Sequence, residues 1–235
     1  MRPILHCLAV ALLFSLLLVA PSAPGHAQRS ATKDWSNTVT LGANGVFVLG
    51  NPSAPTKLVE YFSYTCSHCA NFHAQGMPAL KSQWVRRGLV SLEFRNFVRD
   101  PFDLTAALLA RCGGAARFLG NHEAILGNYD AWIARARTVG QPPAGADRAA
   151  QLAAIAEGTG LTAQLAERGL TPAAQRKCLA DEQSLNQVLA LTESAQKTPD
   201  FSGTPFFIVN GKSLANVHDW ASLEPLLPAL PRSRN

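Results

Sequence analysis

Residues 57–73 read Lys-Leu-Val-Glu-Tyr-Phe-Ser-Tyr-Thr-Cys-Ser-His-Cys-Ala-Asn-Phe-His, and this stretch decides the fold. Residues 57–64 form a mostly apolar run that predicts a central strand buried on both faces. Residues 65–87 predict a helix with a kink at Pro78, because proline donates no backbone hydrogen bond. Residues 89–97 predict a second strand. A strand, a helix of this length and a strand together predict a parallel pair with a right-handed crossover.

Outside this unit the composition changes twice along the chain. Residues 45–49 predict a short strand ahead of it, whereas residues 101–196 are rich in Ala, Leu and Gln and predict an insertion of four to six helices. Strand character returns in residues 205–214, where Asn210-Gly211 is a strong hairpin signal. A last helix is expected near Val217, so the predicted order is βαβ, a helical excursion and then ββα.

The chain begins with a segment typical of secretion. An apolar run and then small residues follow Arg2, which predicts a signal peptide over residues 1–27, with an uncleaved anchor as the alternative. The remaining chain is expected to be soluble, and its four cysteines suggest two disulfide pairs in an oxidising compartment. The 235 residues are 47% hydrophobic with a net charge of +5, which excludes a disordered chain. The basic residues are scattered, which argues against a nucleic-acid partner.

Cys66-Ser67-His68-Cys69 carries the candidate chemistry, at the point where the predicted strand passes into the helix. The free N–H groups of a helix start stabilise a thiolate at Cys66, and His68 can add a hydrogen bond or a positive charge. A fall of three to four pKa units stabilises the thiolate by about 4–5 kcal/mol and shifts the couple by about 100 mV toward the oxidant. A copper or zinc site built from Cys66, His68, Cys69 and His73 is the alternative.

Two further features accompany the cysteines. Glu60 lies in the middle of the predicted buried strand, where a carboxylate is costly unless it is protonated or paired. It is a candidate proton acceptor for Cys69, or else a strand residue facing a polar neighbour such as Lys57. Thr204-Pro205 opens a later strand, either as an ordinary trans turn or with a cis bond that presents the Thr204 backbone to an incoming chain.

These elements together resemble the DsbA-like thiol-disulfide oxidoreductases of the thioredoxin superfamily. The likeness rests on residues 57–73, on Met77-Pro-Ala-Leu-Lys81 and on Ser202-Gly-Thr-Pro-Phe-Phe-Ile-Val-Asn-Gly211. It implies an α/β thioredoxin fold with a helical domain inserted between its two halves. The expected divisions are a signal peptide (1–27), an N-terminal half (28–98), the helical insertion (99–199) and a C-terminal half (200–235).

The resemblance also implies roles for single residues. Cys66 would be the attacked sulfur and Cys69 its buried partner, Glu60 the buried acid and Pro205 a cis-proline against the sulfurs. His68 matches the histidine of the Cys-Pro-His-Cys motif of strongly oxidising members. Ser67 replaces the proline of that motif and Thr204 is the residue found before the cis-proline in several isomerases, so this chain departs from the oxidising pattern twice. No cofactor and no metal are implied.

Cys112 and Cys178 both fall in the predicted helical insertion. Cys112 continues the Leu104–Leu108 face and is expected to be buried. We expect a structural disulfide between the two, worth about 4 kcal/mol for a loop of this length, with two buried free thiols as the alternative.

The sequence therefore predicts a periplasmic oxidase that donates the Cys66–Cys69 disulfide to reduced secreted or envelope proteins with free cysteines. A membrane partner resembling DsbB, linked to quinone, would reoxidise it. A disulfide isomerase or reductase of the same family is the first alternative, but only residues 28–44 precede the first strand, which favours a monomer without a dimerisation region. The alternative from another class is a copper or zinc chaperone that uses Cys66, His68 and Cys69.

Overall fold

A six-stranded mixed sheet forms the centre of the protein. The computed structural model describes residues 33–140 and 145–230, so the predicted signal peptide over residues 1–27 lies outside the described residues. The strands stand in the order β1-β2-β4-β3-β5-β6. They are β1 (Val39–Leu41), β2 (Phe47–Leu49), β3 (Thr56–Phe62), β4 (Val90–Asn96), β5 (Phe206–Val209) and β6 (Lys212–Ser213). The predicted α/β class and the order βαβ, helices, ββα are confirmed.

Strand β3 lies inside the sheet and positions the candidate site. It runs parallel to β4, from the pair Thr56 and Val90 to the pair Phe62 and Asn96, and antiparallel to β5. Six of its seven residues are buried, as expected for a strand that is covered on both faces. The parallel pairing of β3 with β4 across a helical connection is the one that the sequence predicts.

The helical segment after β3 is interrupted near Pro78, where the sequence predicts a kink. Helix α1 (Ser67–Gln75) is followed by the short helix α2 (Met77–Ala79) and by a π-helical segment, Leu80–Val85. Pro78 has no N–H with which to continue the hydrogen-bond ladder. Gly76 lies at the break, and an added Cβ there would come within 2.8 Å of Trp220 Cε3, so packing against Trp220 also favours glycine.

Seven helices, α3 to α9, lie between β4 and β5 in the described residues, so the expectation of four to six was too low. Three pairs of helices are divided by only one or two residues: Asn128 separates α4 from α5, Thr159 and Gly160 separate α6 from α7, and Ala180 and Asp181 separate α8 from α9. Gly160 has a φ of +80°, a left-handed conformation that suits glycine and ends the helical path. The helices are α3 (Pro101–Arg111), α4 (Ala115–Gly127), α5 (Tyr129–Ala136), α6 (Arg148–Gly158), α7 (Leu161–Ala166), α8 (Pro172–Leu179) and α9 (Glu182–Gln196).

The last part of the chain forms the predicted hairpin and a short helix. Asn210 and Gly211 connect β5 to β6 with φ angles of +50° and +80°, the conformation of a tight hairpin turn. Helix α10 (Trp220–Leu223) begins three residues after Val217, where the sequence placed the start, and has one turn. Among the described residues, no helix combines the length and the apolar character needed to cross a membrane.

The two faces of β3 contact different groups of side chains. Leu58 and Phe62 belong to the large apolar cluster that also contains Cys66 and Cys69. Val59 and Tyr61 belong to a smaller cluster on the other face. Since side chains alternate along a strand, Glu60 shares the face of Leu58 and Phe62. The fold therefore directs the Glu60 side chain toward the cluster that holds both cysteines.

Candidate active site

Cys66 ends the loop between β3 and α1 and caps the helix. Its backbone is extended (φ −96°, ψ 118°), and α1 begins at the next residue, Ser67. Its side chain is 5% exposed, while Cys69, one helical turn further on, is fully buried. Both cysteines are free thiols in the structure. Both cysteines are thus buried, with Cys66 slightly accessible at the helix start and Cys69 fully enclosed.

The surroundings of Cys66 favour its thiolate. They lower the pKa of Cys66 from 9.0 to about 5. The largest cause is the hydrogen bond from the Cys69 side chain, followed by the Thr204 side chain, the Cys69 backbone N–H and the positive charge of Arg99, while burial opposes them. Donors that point at a sulfur stabilise its anion more than its thiol, so these contacts make Cys66 a thiolate at neutral pH.

Cys69 experiences the opposite effect. Burial raises its pKa well above the usual range, and hydrogen bonding and charge from Cys66, then the charge of Glu60, raise it further. The backbone of Ser63 acts in the other direction by donating toward the sulfur. In the reduced protein, Cys69 is therefore a neutral thiol and donates its proton toward the Cys66 anion.

Glu60 is a buried acid on the same side of the sheet. It is 2% exposed. Burial raises its pKa from 4.5 to about 8, with a smaller contribution from the charge on Cys66. Desolvation disfavours the carboxylate, and a nearby thiolate disfavours it again. Glu60 is accordingly protonated at neutral pH in the reduced protein and close enough to its midpoint to exchange a proton.

Thr204 and Pro205 lie beside Cys66. The peptide bond between them is cis. Cys66 Sγ lies 3.2 Å from the Thr204 carbonyl oxygen, to which it donates a hydrogen bond in its protonated form. Strand β5 begins at the following residue, Phe206, so the backbone around Thr204 and Pro205 connects Cys66 with the edge of β5. His218 Nδ1 lies 2.8 Å from the Pro205 carbonyl oxygen and donates to it.

His68 lies apart from these contacts. It is exposed, and in the described part of the chain no hydrogen bond joins it to Cys66. His73, the other histidine of the alternative metal site, stacks edge-on against His122 with ring centroids 5.3 Å apart. Within the described ranges, no three His, Cys, Asp or Glu side chains are grouped as metal ligands would be. The two histidines therefore do not complete a ligand set with the cysteines.

Two residues of this region escape the sequence analysis. Arg99 follows β4 and contributes positive charge to Cys66. Asp103, in the first turn of α3, is fully buried beneath the loop that leads to Cys66. Neither belongs to a motif with the cysteines, and the chain places both beside them because the β3–α1 loop meets the end of β4 and the start of α3. An Asp-Pro helix start with Asp103 three residues later was the only signal, and it predicts a cap rather than a site.

Cys112 and Cys178 form a disulfide bond, with an S–S distance of 1.93 Å and Cα atoms 5.6 Å apart. Cys112 follows the last residue of α3, and Cys178 lies in α8. The bond therefore connects the end of α3 with α8, both in the region between β4 and β5. It closes a loop across 66 positions of sequence and leaves Cys66 and Cys69 as free cysteines.

Fold and site together define a thiol-disulfide oxidoreductase, with two free cysteines at the start of a helix beside a cis-proline. A thioredoxin family model matches residues 43–229, so the chain belongs to the thioredoxin family. A Rickettsia bellii protein named "Putative protein-disulfide oxidoreductase" is 32% identical over 88% of this chain and 73% of its own length. A Rickettsia typhi protein of the same kind is 33% identical, and the alignment covers 74% of this chain but only 57% of that relative.

Solved structures agree with this assignment. The protein-disulfide isomerase of Novosphingobium aromaticivorans has a TM-score of 0.72 and 36% sequence identity, covering 77% of this chain and 95% of its own. The alpha-DsbA1 of Wolbachia pipientis has a TM-score of 0.63 and 22% identity, covering 81% and 93% of the two chains. At that identity, the second comparison concerns the fold alone.

Proposed function

We propose that this protein is a thiol-disulfide oxidase that donates the Cys66–Cys69 disulfide to substrate proteins. A substrate thiolate attacks Cys66 Sγ, the Cys66–Cys69 bond breaks, and Cys69 leaves with the electron pair and takes up a proton. A second substrate thiolate then attacks the substrate sulfur of the mixed disulfide and expels Cys66 as a thiolate. The substrate loses two electrons and gains a disulfide, and the enzyme becomes the dithiol.

The low pKa of Cys66 carries this proposal, because it stabilises the reduced enzyme. At pH 7 an ordinary thiol of pKa 9.0 is protonated, whereas a thiol of pKa about 5 is two units past its midpoint. Two units correspond to about 2.7 kcal/mol, and at about 30 mV per 1.4 kcal/mol they make the disulfide about 60 mV more oxidising. The whole fall in pKa, from 9.0 to about 5, would correspond to ~100 mV. At pH 7 only the part of that fall below pH 7 contributes, because a thiol with a pKa above 7 is protonated in any case.

Glu60 is proposed to exchange the proton of Cys69. When Cys69 leaves as a thiolate, it needs a proton, and when it attacks a mixed disulfide, its thiol must lose one. Glu60 lies on the face of β3 that meets the cysteine cluster, and its pKa of about 8 is near the working pH. A group with such a pKa gives and takes protons with little cost in either direction.

We further propose export to the periplasm through residues 1–27, reoxidation by a DsbB-like membrane oxidase linked to quinone, and action as a monomer. A disulfide donor ends each cycle as a dithiol, so it requires an oxidant outside itself. Substrates are proteins with free cysteines. The division into residues 28–98, 99–199 and 200–235 is likewise proposed, with support from the order of strands and helices.

Disulfide isomerisation by the same residues is the second candidate. The name of the Novosphingobium protein, at 36% identity, favours it, as does Thr204 before the cis-proline. An isomerase works from the reduced state, with the Cys66 thiolate attacking wrong disulfides. The two functions differ in which redox state the cell maintains and in how strongly oxidising the pair is.

The reduction potential of the Cys66–Cys69 pair in glutathione buffers separates the two candidates. An oxidase is expected nearer the ~−120 mV of DsbA than the ~−270 mV of thioredoxin, and its oxidised form should introduce disulfides rapidly into a reduced, unfolded client. Cys69→Ser, which cannot hold the disulfide, is the matched control. A potential near that of thioredoxin, together with oxidation no faster than with free cystine, would refute the oxidase. Faster rescue of a scrambled client by the reduced protein would favour the isomerase.

A further inference from the structure

Asp103 is a buried carboxylate that the proposed reaction does not use. Its side chain is fully buried in the first turn of α3. It accepts the Ser63 hydroxyl at 2.6 Å, the Tyr64 backbone N–H at 2.8 Å and the Arg99 backbone N–H at 3.1 Å. Buried carboxylates are retained where such donors surround them. Asp103 thus connects α3 to the β3–α1 loop and to the residues that follow β4.

Ser63 also forms a hydrogen bond with the guanidinium of Arg99. Arg99 Nε donates to Ser63 Oγ at 3.0 Å, and Arg99 Nη2 donates to Thr65 Oγ1 at 3.0 Å. Thr65 also donates its hydroxyl to Asp100 at 2.9 Å. The guanidinium therefore lies along the loop of residues 63–65 and is bonded to the residue immediately before Cys66.

We propose that Asp103 is a positioning residue for the Cys66 thiolate. It orients Ser63, and through Ser63 it holds the Arg99 guanidinium against the loop next to the reactive sulfur. Arg99 is exposed, and a long side chain at the surface samples many rotamers unless it is bonded. The hydroxyls of Ser63 and Thr65 hold it beside the loop that leads to Cys66, on whose sulfur its charge acts. This inference rests on the proposed role of Cys66 as the reactive thiolate.

Charge and positioning predict different results for one variant. Burial raises the pKa of Asp103 to about 7, so near pH 5, where Cys66 titrates, Asp103 is mostly protonated. Asp103→Asn keeps the shape of the side chain and removes only the charge that Asp103 carries at higher pH, so charge alone would leave the Cys66 thiolate unchanged or favour it. The same variant replaces the oxygen that accepts from Ser63 and Arg99 with an amide that donates. If Asp103 acts by positioning, the thiolate of Cys66 becomes less stable instead.

The test is the ultraviolet absorbance of the Cys66 thiolate as a function of pH in the reduced protein, with Cys66→Ser as the blank. Asp103→Asn, Ser63→Ala and Arg99→Gln should each lower the acid dissociation constant of Cys66 by about threefold to tenfold, half to one pH unit. Asp103, Ser63 and Arg99 act through one series of hydrogen bonds. The double variant Ser63→Ala, Asp103→Asn should therefore change the acid dissociation constant of Cys66 no more than Asp103→Asn alone. The matched control is Asp147→Asn, an exposed helix-capping aspartate of α6, which should leave the titration unchanged.

The outcomes are decisive in each direction. An unchanged or more acidic Cys66 in a folded Asp103→Asn protein overturns the inference, as does an unchanged Cys66 in Arg99→Gln. If Asp103→Asn does not fold, Ser63→Ala decides, because it leaves the Tyr64 and Arg99 backbone bonds to Asp103 in place. A wild-type Cys66 that titrates like a free thiol would instead refute the proposed function, and that result is seen before any variant is made.

Discussion

Replacing Glu60 with glutamine is expected to stabilise the reduced protein at neutral pH. Glu60 is 2% exposed, and its pKa is raised from 4.5 to about 8, first by burial and then by the charge on Cys66. In the unfolded chain the carboxyl ionises freely, whereas in the folded protein it must stay protonated or bear a desolvated charge. Glutamine has nearly the same shape and no proton to lose, so it removes this conflict.

The sign and size follow from the two pKa values. The folded-state pKa is above the unfolded one, so the contribution of Glu60 to stability is fully present below about pH 4.5 and is lost as the pH rises toward 8. Each pH unit in this window costs about 1.4 kcal/mol. Between about pH 5 and pH 7.5, the free energy of unfolding of Glu60→Gln should therefore gain about 3 kcal/mol on that of the wild type.

Urea unfolding of both proteins, kept reduced, at a series of pH values measures this difference directly. Other titrating groups, Asp103 among them, contribute equally to both proteins and cancel. Glu157→Gln, which changes an exposed carboxylate, is the matched control and should show no such pH-dependent gain. If the free energies of unfolding of wild type and Glu60→Gln change in parallel with pH, the conclusion that burial raises the pKa of Glu60 is refuted. If Glu60 also serves Cys69, the same variant should release mixed disulfides more slowly.

Two further outcomes are expected. Because the pKa of Cys66 is about 5, reduction of the disulfide takes up two protons below that pH and one proton above it. The reduction potential should therefore change by about 59 mV per pH unit below pH 5 and by about 30 mV per pH unit above it. A single slope of about 59 mV per pH unit through pH 7 would mean that Cys66 is an ordinary thiol. Replacing Cys112 and Cys178 with serine should lower the free energy of unfolding by about 4 kcal/mol in urea titrations, because the disulfide closes a loop across 66 positions and so reduces the entropy of the unfolded chain. A loss below about 1 kcal/mol would contradict this reasoning.

Most of the fold was predictable because its signals are local. The apolar run of β3, the helix start at Cys66 and the Asn210-Gly211 turn each depend on neighbouring residues, and the structure has them where they were expected. Strand β1 was missed because its three residues, Val39–Leu41, alternate over too short a run to identify a strand. The helix count was too low because breaks of one or two residues barely disturb a 3.6-residue period.

The site was predictable only as far as its motif extends. Spacing alone gives the Cys66–Cys69 pair and suggests a helix start, and the position of Glu60 in a buried run suggests a costly carboxylate. Arg99 and Asp103 stand more than 30 residues from Cys66, and only the packing of α3 against the β3–α1 loop brings them to it. Conversely, His68 is near Cys66 in sequence, but its side chain points to solvent, since consecutive positions on a helix face different directions.

The redox state of Cys66 and the protonation of Glu60 are coupled. In the reduced protein the Cys66 thiolate raises the pKa of Glu60, and the acid keeps its proton. When Cys66 joins a mixed disulfide, its charge disappears and one of the two causes of that raised pKa is lost, so the carboxylate becomes more populated at neutral pH. That is the state in which the Cys69 thiol must lose a proton in order to attack. Under the proposed function, loss of the Cys66 charge therefore favours ionised Glu60, the proposed proton acceptor, at the step in which Cys69 loses its proton.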